Sequence, residues 1–194
     1  MFKRLLPLLP RARLRAFGKD TRGYVTVEAM IVLPALLWLF GVGWVYFDVF
    51  RQQSVNQKAN YTIGDMLSRQ TDPVDDSYID SAFNLLKLLN KAAEPDTSMR
   101  VSVVQYRADS DSWRVQWSEA RGGGSALGTA DLTGYAERLP VVSDAAQLIL
   151  VETWDAYVPV FQVGLGDFTI KTYSFTAPRY APQLVWASGA EESA

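Results

Sequence analysis

The chain has 194 residues, with 19 basic and 21 acidic side chains, no histidine and no cysteine. This length accommodates one membrane helix and one extracytoplasmic domain of ordinary size. The missing residue types exclude histidine general bases, thiol nucleophiles, disulfide bonds and the usual zinc and copper ligands. The composition therefore favours a protein that is not an enzyme and that needs no metal or other cofactor.

The N-terminal segment, residues 1–23, is strongly basic and contains a single acid, Asp20. A basic flank of this kind keeps the N-terminus of a membrane protein in the cytoplasm. We therefore expect a cytoplasmic leader, a single-pass anchor in a bacterial inner membrane and a C-terminal domain in the periplasm. Without the leader the chain has 12 basic and 20 acidic residues, a net charge of -8. That balance does not favour a nucleic-acid partner.

An uncharged apolar run of 19 residues extends from Ala29 to Phe47. At about 1.5 Å per residue it nearly spans a hydrocarbon core of about 30 Å, so we predict a transmembrane helix over 24–50. Pro34 is tolerable in such a helix and predicts a kink. A secretory signal peptide would have a shorter core and a small-residue cleavage site, whereas this run leads into Asp48. An uncleaved signal anchor fits the hydropathy equally well.

Gly23 and Glu28 lie just before this apolar run. An ionisable group at the edge of a lipid-spanning helix is costly and usually has a partner. Near the helix N-terminus the carboxylate gains some stabilisation from the macrodipole. The two interpretations that the sequence leaves open are a functional carboxylate and an acid exposed at the lipid headgroups.

The stretch RGYVTVEAMIVLPALLWLF resembles the start of TadE-like proteins, which are pilin-like components of tight-adherence secretion systems. The segments Val151–Pro159 and Thr176–Tyr180 resemble the C-terminal strands of the same group. The resemblance implies a type IV prepilin site, at which a membrane peptidase cuts after Gly23 and leaves Tyr24 as the new N-terminus. Glu28, the fifth residue of the mature chain, would then pair with the amine of Tyr24 or of a neighbouring subunit.

The same resemblance implies a function and a set of partners. It predicts a minor pseudopilin that acts in assembly of a tight-adherence (Flp type IVb) pilus or a related secretion system. Its partners would be the cytoplasmic membrane, the prepilin peptidase and other pseudopilins or pilus assembly proteins. The alternative is an uncleaved, signal-anchored periplasmic binding or sensory domain, and a membrane-tethered hydrolase is a third possibility that no motif supports.

The predicted outer domain, residues 51–187, is an α+β fold. The membrane helix continues to about Arg69, because apolar residues recur at helical spacing without a breaker before Gly64. Packed against this long pilin-like helix we expect an antiparallel sheet and one or two short helices. The predicted elements are a second helix from the Asp72–Ser77 turn to near Ala93, a short helix at Asp131–Leu139, and strands at Met99–Tyr106, Ser112–Ser118, Gln147–Tyr157 and Phe168–Phe175.

Alternation along the second strand predicts that Trp113, Val115 and Trp117 lie on one face of the sheet. The glycines at 122–124 lack the lysine and helix of a phosphate loop, so they predict a flexible connection. Residues 188–194 are small and acidic and predict a disordered tail.

Two groups of aspartates are candidate cation sites. Asp72, Asp75, Asp76 and Asp80 supply oxygen ligands, but their spacing matches no EF-hand loop, and a helix N-terminus attracts acids in any case. Asp109 and Asp111 are typical of a solvated turn. We therefore predict no metal site and no catalytic residue.

Overall fold

The computed structural model describes residues 22–91, 97–135 and 138–187. The leader up to residue 21, the tail at 188–194 and the end of the second helix near Ala93 lie outside the described residues. The elements in chain order are α1 (Arg22–Ser68), α2 (Asp76–Asn90), β1 (Thr97–Arg107), β2 (Ser112–Arg121), a 3-10 helix (Thr129–Gly134), β3 (Gln147–Tyr157) and β4 (Phe168–Thr176).

The fold is the α+β arrangement that the sequence predicts, with one long helix on an antiparallel sheet. α1 has 47 residues and therefore a length of about 70 Å. It continues beyond the apolar run without a break and ends at Ser68. The Ser68 hydroxyl donates a hydrogen bond to the backbone carbonyl of Asp65. The prediction that the apolar helix continues into the folded domain is thus confirmed.

α2 begins at a capped turn, as the acidic sequence before it predicts. The carboxylate of Asp75 accepts a hydrogen bond of 2.8 Å from the backbone N–H of Tyr78 and another from the hydroxyl of Ser77. These two bonds, the backbone one foremost, lower the pKa of Asp75. The helix ends at Asn90, where Lys91 takes a left-handed conformation with a φ of 54°.

The four strands form a sheet in the order β2-β1-β3-β4, and every neighbouring pair is antiparallel. β1 and β3 therefore occupy the centre. α1 packs against β3, β4 and α2, so the upper half of the helix is part of the domain core.

Both faces of the sheet are covered. On one face, α1 and α2 enclose the main core, whose largest fully buried side chains include Ile63, Leu67, Ile79, Leu86, Met99 and Ile149. On the other face, the connection between β2 and β3 covers a smaller core formed by Val104, Leu127, Leu132, Leu148 and Leu150. Burial on both sides accounts for the unbroken buried run of seven residues at the start of β3.

The prediction that Trp113, Val115 and Trp117 share a face is wrong, because β2 contains a β-bulge. Trp117 pairs with Val103 while Val115 pairs with Val104, which leaves Gln116 as the extra residue. Trp117 consequently packs in the main core, whereas Trp113 and Val115 pack in the smaller one.

The glycine connection after β2 is more constrained than predicted. Gly122 has a φ of 77°, and a Cβ there would lie 2.8 Å from the Cα of Ser98 and against the carbonyl of Thr97. Only glycine fits such an approach without a shift of the backbone. Gly123 has a φ of 91° but open space around it. The predicted helix at Asp131–Leu139 is instead a 3-10 helix that ends earlier, at Gly134.

Candidate functional site

The first half of α1 presents an apolar surface that nothing in the described chain covers. Tyr24, Met30 and Phe40 are 72%, 78% and 70% exposed, and none of the side chains from 24 to 44 is buried. By length and composition this helix is able to cross a membrane, and no residue of its most apolar 18-residue window is buried. A core helix of a soluble protein would bury such a window, so this half of α1 has the surface of a membrane anchor.

The predicted processing residues and the predicted subunit-packing residue lie in the first two turns of α1. Gly23 and Tyr24 are in the first turn, and Glu28 is exposed one turn further along the helix. Because four positions separate them, Tyr24 and Glu28 share one face. Within the described part of the chain, Glu28 has no hydrogen-bond or ion-pair partner. Its carboxylate is therefore available to a cation that lies outside the described residues.

Pro34 lies inside α1, which remains helical on both sides of it. Because proline has no backbone N–H, the hydrogen bond to the carbonyl of Met30 is not made there. A kink at this position remains a prediction.

We call the exposed apolar half of α1 the anchor, and the rest of the folded domain, from Asp48 onward, the head. The two join at a polar junction. The carboxylate of Asp48, the first charge after the apolar run, accepts a hydrogen bond of 3.0 Å from the hydroxyl of Tyr157 at the end of β3. It also pairs with Arg51 at 3.1 Å. This junction lies where the apolar run of α1 ends.

Above the junction, a row of amide side chains on α1 binds the central strand β3. The buried carboxylate of Asp155 accepts hydrogen bonds from Gln52 at 3.2 Å and from Asn56 at 3.0 Å, and its other oxygen accepts one from Thr97 at 2.7 Å. One turn later, the side-chain amide of Asn60 donates to the carbonyl of Val151 at 3.0 Å. Buried polar groups are costly unless they are paired, so this row fixes the helix on the sheet in one register.

Sequence reasoning missed this row. Its signal is the recurrence of Gln52, Asn56 and Asn60 at four-residue intervals, beside the apolar positions Ala59 and Ile63. Such spacing places the amides on one side of the helix and at the edge of its core-facing stripe. Nothing in the sequence indicates that a carboxylate nearly a hundred residues later meets them.

A second polar cluster lies on the other face of the sheet. Arg100 and Glu152 form a buried ion pair at 2.6 Å, and the hydroxyl of Tyr135 accepts from Arg100 and donates to Glu152. Burial first, and then the hydrogen bond to Glu152, raises the pKa of Tyr135. Tyr135 and Glu152 line one side of a cavity of about 250 Å³ that Lys171 and Tyr173 complete.

Three of the four acids before and within α2, namely Asp75, Asp76 and Asp80, bind protein groups in the structure. The guanidinium of Arg121 forms ion pairs of 2.6 Å with Asp76 and 2.5 Å with Asp80, and Asp75 caps α2. In residues 22–91, 97–135 and 138–187, no group of three or more His, Cys, Asp or Glu side chains is arranged to hold a metal ion. The cluster therefore attaches α2 to the end of β2.

The connection from β3 to β4 continues down the side of the anchor. Leu37, Trp38, Phe40, Gly41 and Trp44 of α1 form an apolar groove of about 760 Å³ together with the loop residues 160–163. The groove lies on the anchor side of the Asp48 junction. The head therefore meets the anchor at two levels, one polar and one apolar.

No family model, curated protein or solved structure matches this chain. Its function is therefore inferred from its own residues. The features that bear on function are the Glu28 carboxylate, which has no partner among the described residues, the exposed apolar half of α1 and the hydrogen-bonded junction with the head.

Proposed function

We propose that the chain is a TadE-like minor pseudopilin that acts in assembly of a tight-adherence (Flp type IVb) pilus or a related secretion system. The observation that carries the proposal is a single helix that begins with Gly23 and Glu28, exposes its apolar half and continues unbroken into a sheet-covered head. A subunit built for lateral packing in a membrane needs all three features. The resemblance of the N-terminal sequence to TadE-like proteins supports the same function.

In this proposal the chain catalyses no reaction and is itself a substrate. A prepilin peptidase hydrolyses the peptide bond after Gly23, which releases the basic leader and frees the amine of Tyr24. Four residues further along the same helical face, the Glu28 carboxylate is placed to pair with that amine or with the amine of a neighbouring subunit. Charges within a membrane are stable only when paired, so this pairing sets the depth at which subunits pack against one another.

The proposed location follows from charge and hydropathy. The basic leader stays on the cytoplasmic side of the inner membrane, α1 crosses it once and the head lies in the periplasm. After removal of the leader, the lower half of α1 is a bare apolar helix that other pseudopilins can pack against. The head would then be carried at a fixed angle above the membrane by the upper half of the same helix.

The decisive experiment is the N-terminal mass of the protein purified from membranes that contain a prepilin peptidase. We expect a chain that begins at Tyr24, and we expect Gly23→Ala to retain the leader. Gly43→Ala is the matched control, because Gly43 lies in the same helix with open space where the added Cβ would lie, and it should be processed normally. An intact Met1 start in the presence of active peptidase would overturn the proposal.

The cavity beside Tyr135 favours a second candidate, a periplasmic binding or sensory domain on an uncleaved anchor. Its cationic and aromatic lining, with Arg138, Lys171 and Tyr173, suits a small anion. Isothermal titration of the full chain with small carboxylates and phosphates tests this function. Saturable binding that Lys171→Met abolishes, together with an intact leader, would favour sensing over assembly.

A further inference from the structure

The loop between β3 and β4 is unusually apolar for a connection on a protein surface. Between Asp155 and Asp167 the sequence AYVPVFQVGLG carries no charge and only one amide side chain, that of Gln162. Val158 and Val160 are 67% and 70% exposed, and Phe161 is 51% exposed. Surface loops of this length normally carry polar side chains, so the exposed cluster requires a covering.

The loop lies beside the part of α1 that is also bare. Contacts between β3 and α1 descend the helix in order, because Val151 meets Asn60, Asp155 meets Asn56 and Tyr157 meets Asp48. The chain then continues in the same direction, and its residues 160–163 lie against α1 from Leu37 to Trp44. Leu37 is 11 residues before Asp48, a descent of about 16 Å along the helix.

The depth of this loop follows from the length of the anchor. A hydrocarbon core of about 30 Å requires about 20 helical residues. Even if the core begins at Tyr24, the first residue after the processing glycine, it extends to Gly43. Four groove residues of α1, Leu37, Trp38, Phe40 and Gly41, therefore lie within the outer half of the bilayer, and Trp44 lies at its edge. The loop side chains beside them reach the same depth.

We propose that the β3–β4 loop, residues 158–166, inserts into the outer leaflet of the membrane and gives the head a second lipid contact. This proposal rests on the membrane crossing of α1 in the proposed function and goes beyond it, because a simple anchor needs only the helix. The occupant of the surface is the acyl and headgroup boundary of the bilayer. The exposed side chains of the loop are continuous with the lipid-facing side chains of α1.

The chemistry of the loop fits this boundary. Val158, Val160 and Phe161 offer apolar side chains, while an irregular backbone retains polar groups that must stay near water or headgroups. Trp38 and Trp44, exposed on α1 at the level of the groove, are of the residue type that prefers the membrane interface. The charges of Asp155 and Asp167 flank the loop and stay on the head side. Insertion of side chains to a depth of about 10 Å satisfies both requirements.

A second lipid contact would restrict the orientation of the head in a way that the helix alone cannot. A single helix leaves the head free to tilt together with the helix axis, whereas a loop inserted to one side of that axis restricts the tilt. The amide row on α1 makes the loop and the helix a rigid pair. The proposed insertion therefore limits the tilt of the head relative to the bilayer.

The test uses the full chain in vesicles of phosphatidylethanolamine and phosphatidylglycerol. Because the chain has no cysteine, the single variant Phe161→Cys provides one site for a nitroxide spin label. Phe40→Cys reports on α1, and Ser110→Cys, exposed in the hairpin turn at the opposite end of the sheet, is the aqueous control. Collision rates with oxygen and with a water-soluble nickel chelate give the depth of each label. Near-ultraviolet circular dichroism checks that each variant retains the packed head.

We expect the label at 161 to resemble that at 40, with at least a tenfold higher ratio of oxygen to nickel collisions than at 110. A label at 161 as accessible to nickel as that at 110 would overturn the insertion. So would a label shielded from both reagents, which would indicate that a second protein chain covers the loop. A label at 40 that is itself accessible to nickel would instead overturn the membrane crossing of α1.

Discussion

Asp155 is the residue on which the attachment of the helix to the sheet depends most. Its buried carboxylate accepts three hydrogen bonds, two of them from α1. Asp155→Asn keeps the size of the side chain but turns an amide N–H₂ toward groups that already donate. We expect it to lower the free energy of unfolding of the head by about 2 kcal/mol.

Urea unfolding followed by tryptophan fluorescence measures this loss. The matched control is Asp109→Asn, because Asp109 lies exposed in the β1–β2 turn and accepts a hydrogen bond from the neighbouring Ser110 hydroxyl. That variant should change stability by less than about 0.5 kcal/mol. Equal effects of the two substitutions would show that the amide row does not hold the helix.

Glu28 is expected to matter for assembly and not for folding. Glu28→Gln keeps the shape of the side chain and removes the charge that would attract an N-terminal amine. We expect the leader to be removed normally, while site-specific crosslinking between the α1 helices of neighbouring subunits falls by about tenfold. Unchanged crosslinking would contradict the pairing, and loss of processing would assign Glu28 to peptidase recognition instead.

Tyr135 gives the head a defined response to alkaline pH. Burial and the hydrogen bond to Glu152 raise its pKa in the folded state, so the protonated form stabilises the fold. This contribution is complete below the pKa of the unfolded chain, about 10, and is lost as pH rises through the higher folded value. We expect Tyr135→Phe to flatten the fall in melting temperature above about pH 10. A slope identical to that of the wild-type chain would contradict this assignment.

Individual residues were predicted well where their role is local and poorly where it depends on a distant partner. The cap at Asp75 follows from neighbouring residues and was predicted as part of an acidic helix start. The burial of Asp155 depends on α1, which is remote in sequence, and no local pattern reveals it. Trp117 was placed on the wrong face because Gln116 gives no sign that it is the extra residue of a bulge.

At the scale of elements, the turn after β2 is the most restrictive connection. Gly122→Ala combines a left-handed backbone with a collision against Thr97 and Ser98, and we expect a loss of about 3 kcal/mol in the free energy of unfolding. Gly123→Ala has the same backbone problem but free space, so its expected loss is about 1 kcal/mol. Urea denaturation measures both losses, and their difference gives the free-energy cost of the collision. Losses of equal size would mean that the turn relaxes away from β1.

The helices and strands themselves were largely predictable, because their signals are periodic and local. The predicted strand at Gln147–Tyr157 has the observed bounds, and the others differ by a few residues at their ends. The short helix after the glycine turn was predicted poorly. Its sequence has no sustained apolar period, and its single buried residue, Leu132, is positioned by packing in the smaller core.

For the whole molecule, we expect the head to fold only with the upper half of α1. A fragment that begins at Asp48 retains the amide row and the buried Ala59, Ile63 and Leu67, and should unfold cooperatively. A fragment that begins at Arg69 lacks them, and the loss of Ile63 and Leu67 alone removes about 5 kcal/mol, comparable to the stability of an ordinary domain. Thermal circular dichroism of the two fragments checks this. Cooperative melting of the shorter one would contradict the assignment of α1 to the core.

The architecture as a whole was predicted in class but not in detail. A long helix against an antiparallel sheet follows from the order and the periods of the elements. The strand order and the descent of the β3–β4 loop beside the anchor do not, because both depend on which strand takes the centre. The charge-free run from 156 to 166 was the available signal for the loop.

The placement of α1 at the start of the chain and of its covering strands at the end has a consequence during synthesis and export. α1 emerges first, and β3 and β4, which cover its upper half, are the last elements to arrive. Throughout that interval Ala59 and Ile63 lack the cover of β3 and β4, and the charges of Asp48, Arg51 and Lys58 disfavour retention of this half of the helix in lipid. Gln52, Asn56 and Asn60, which lie among these charges and later bind the sheet, add to that effect while the nascent helix is still uncovered.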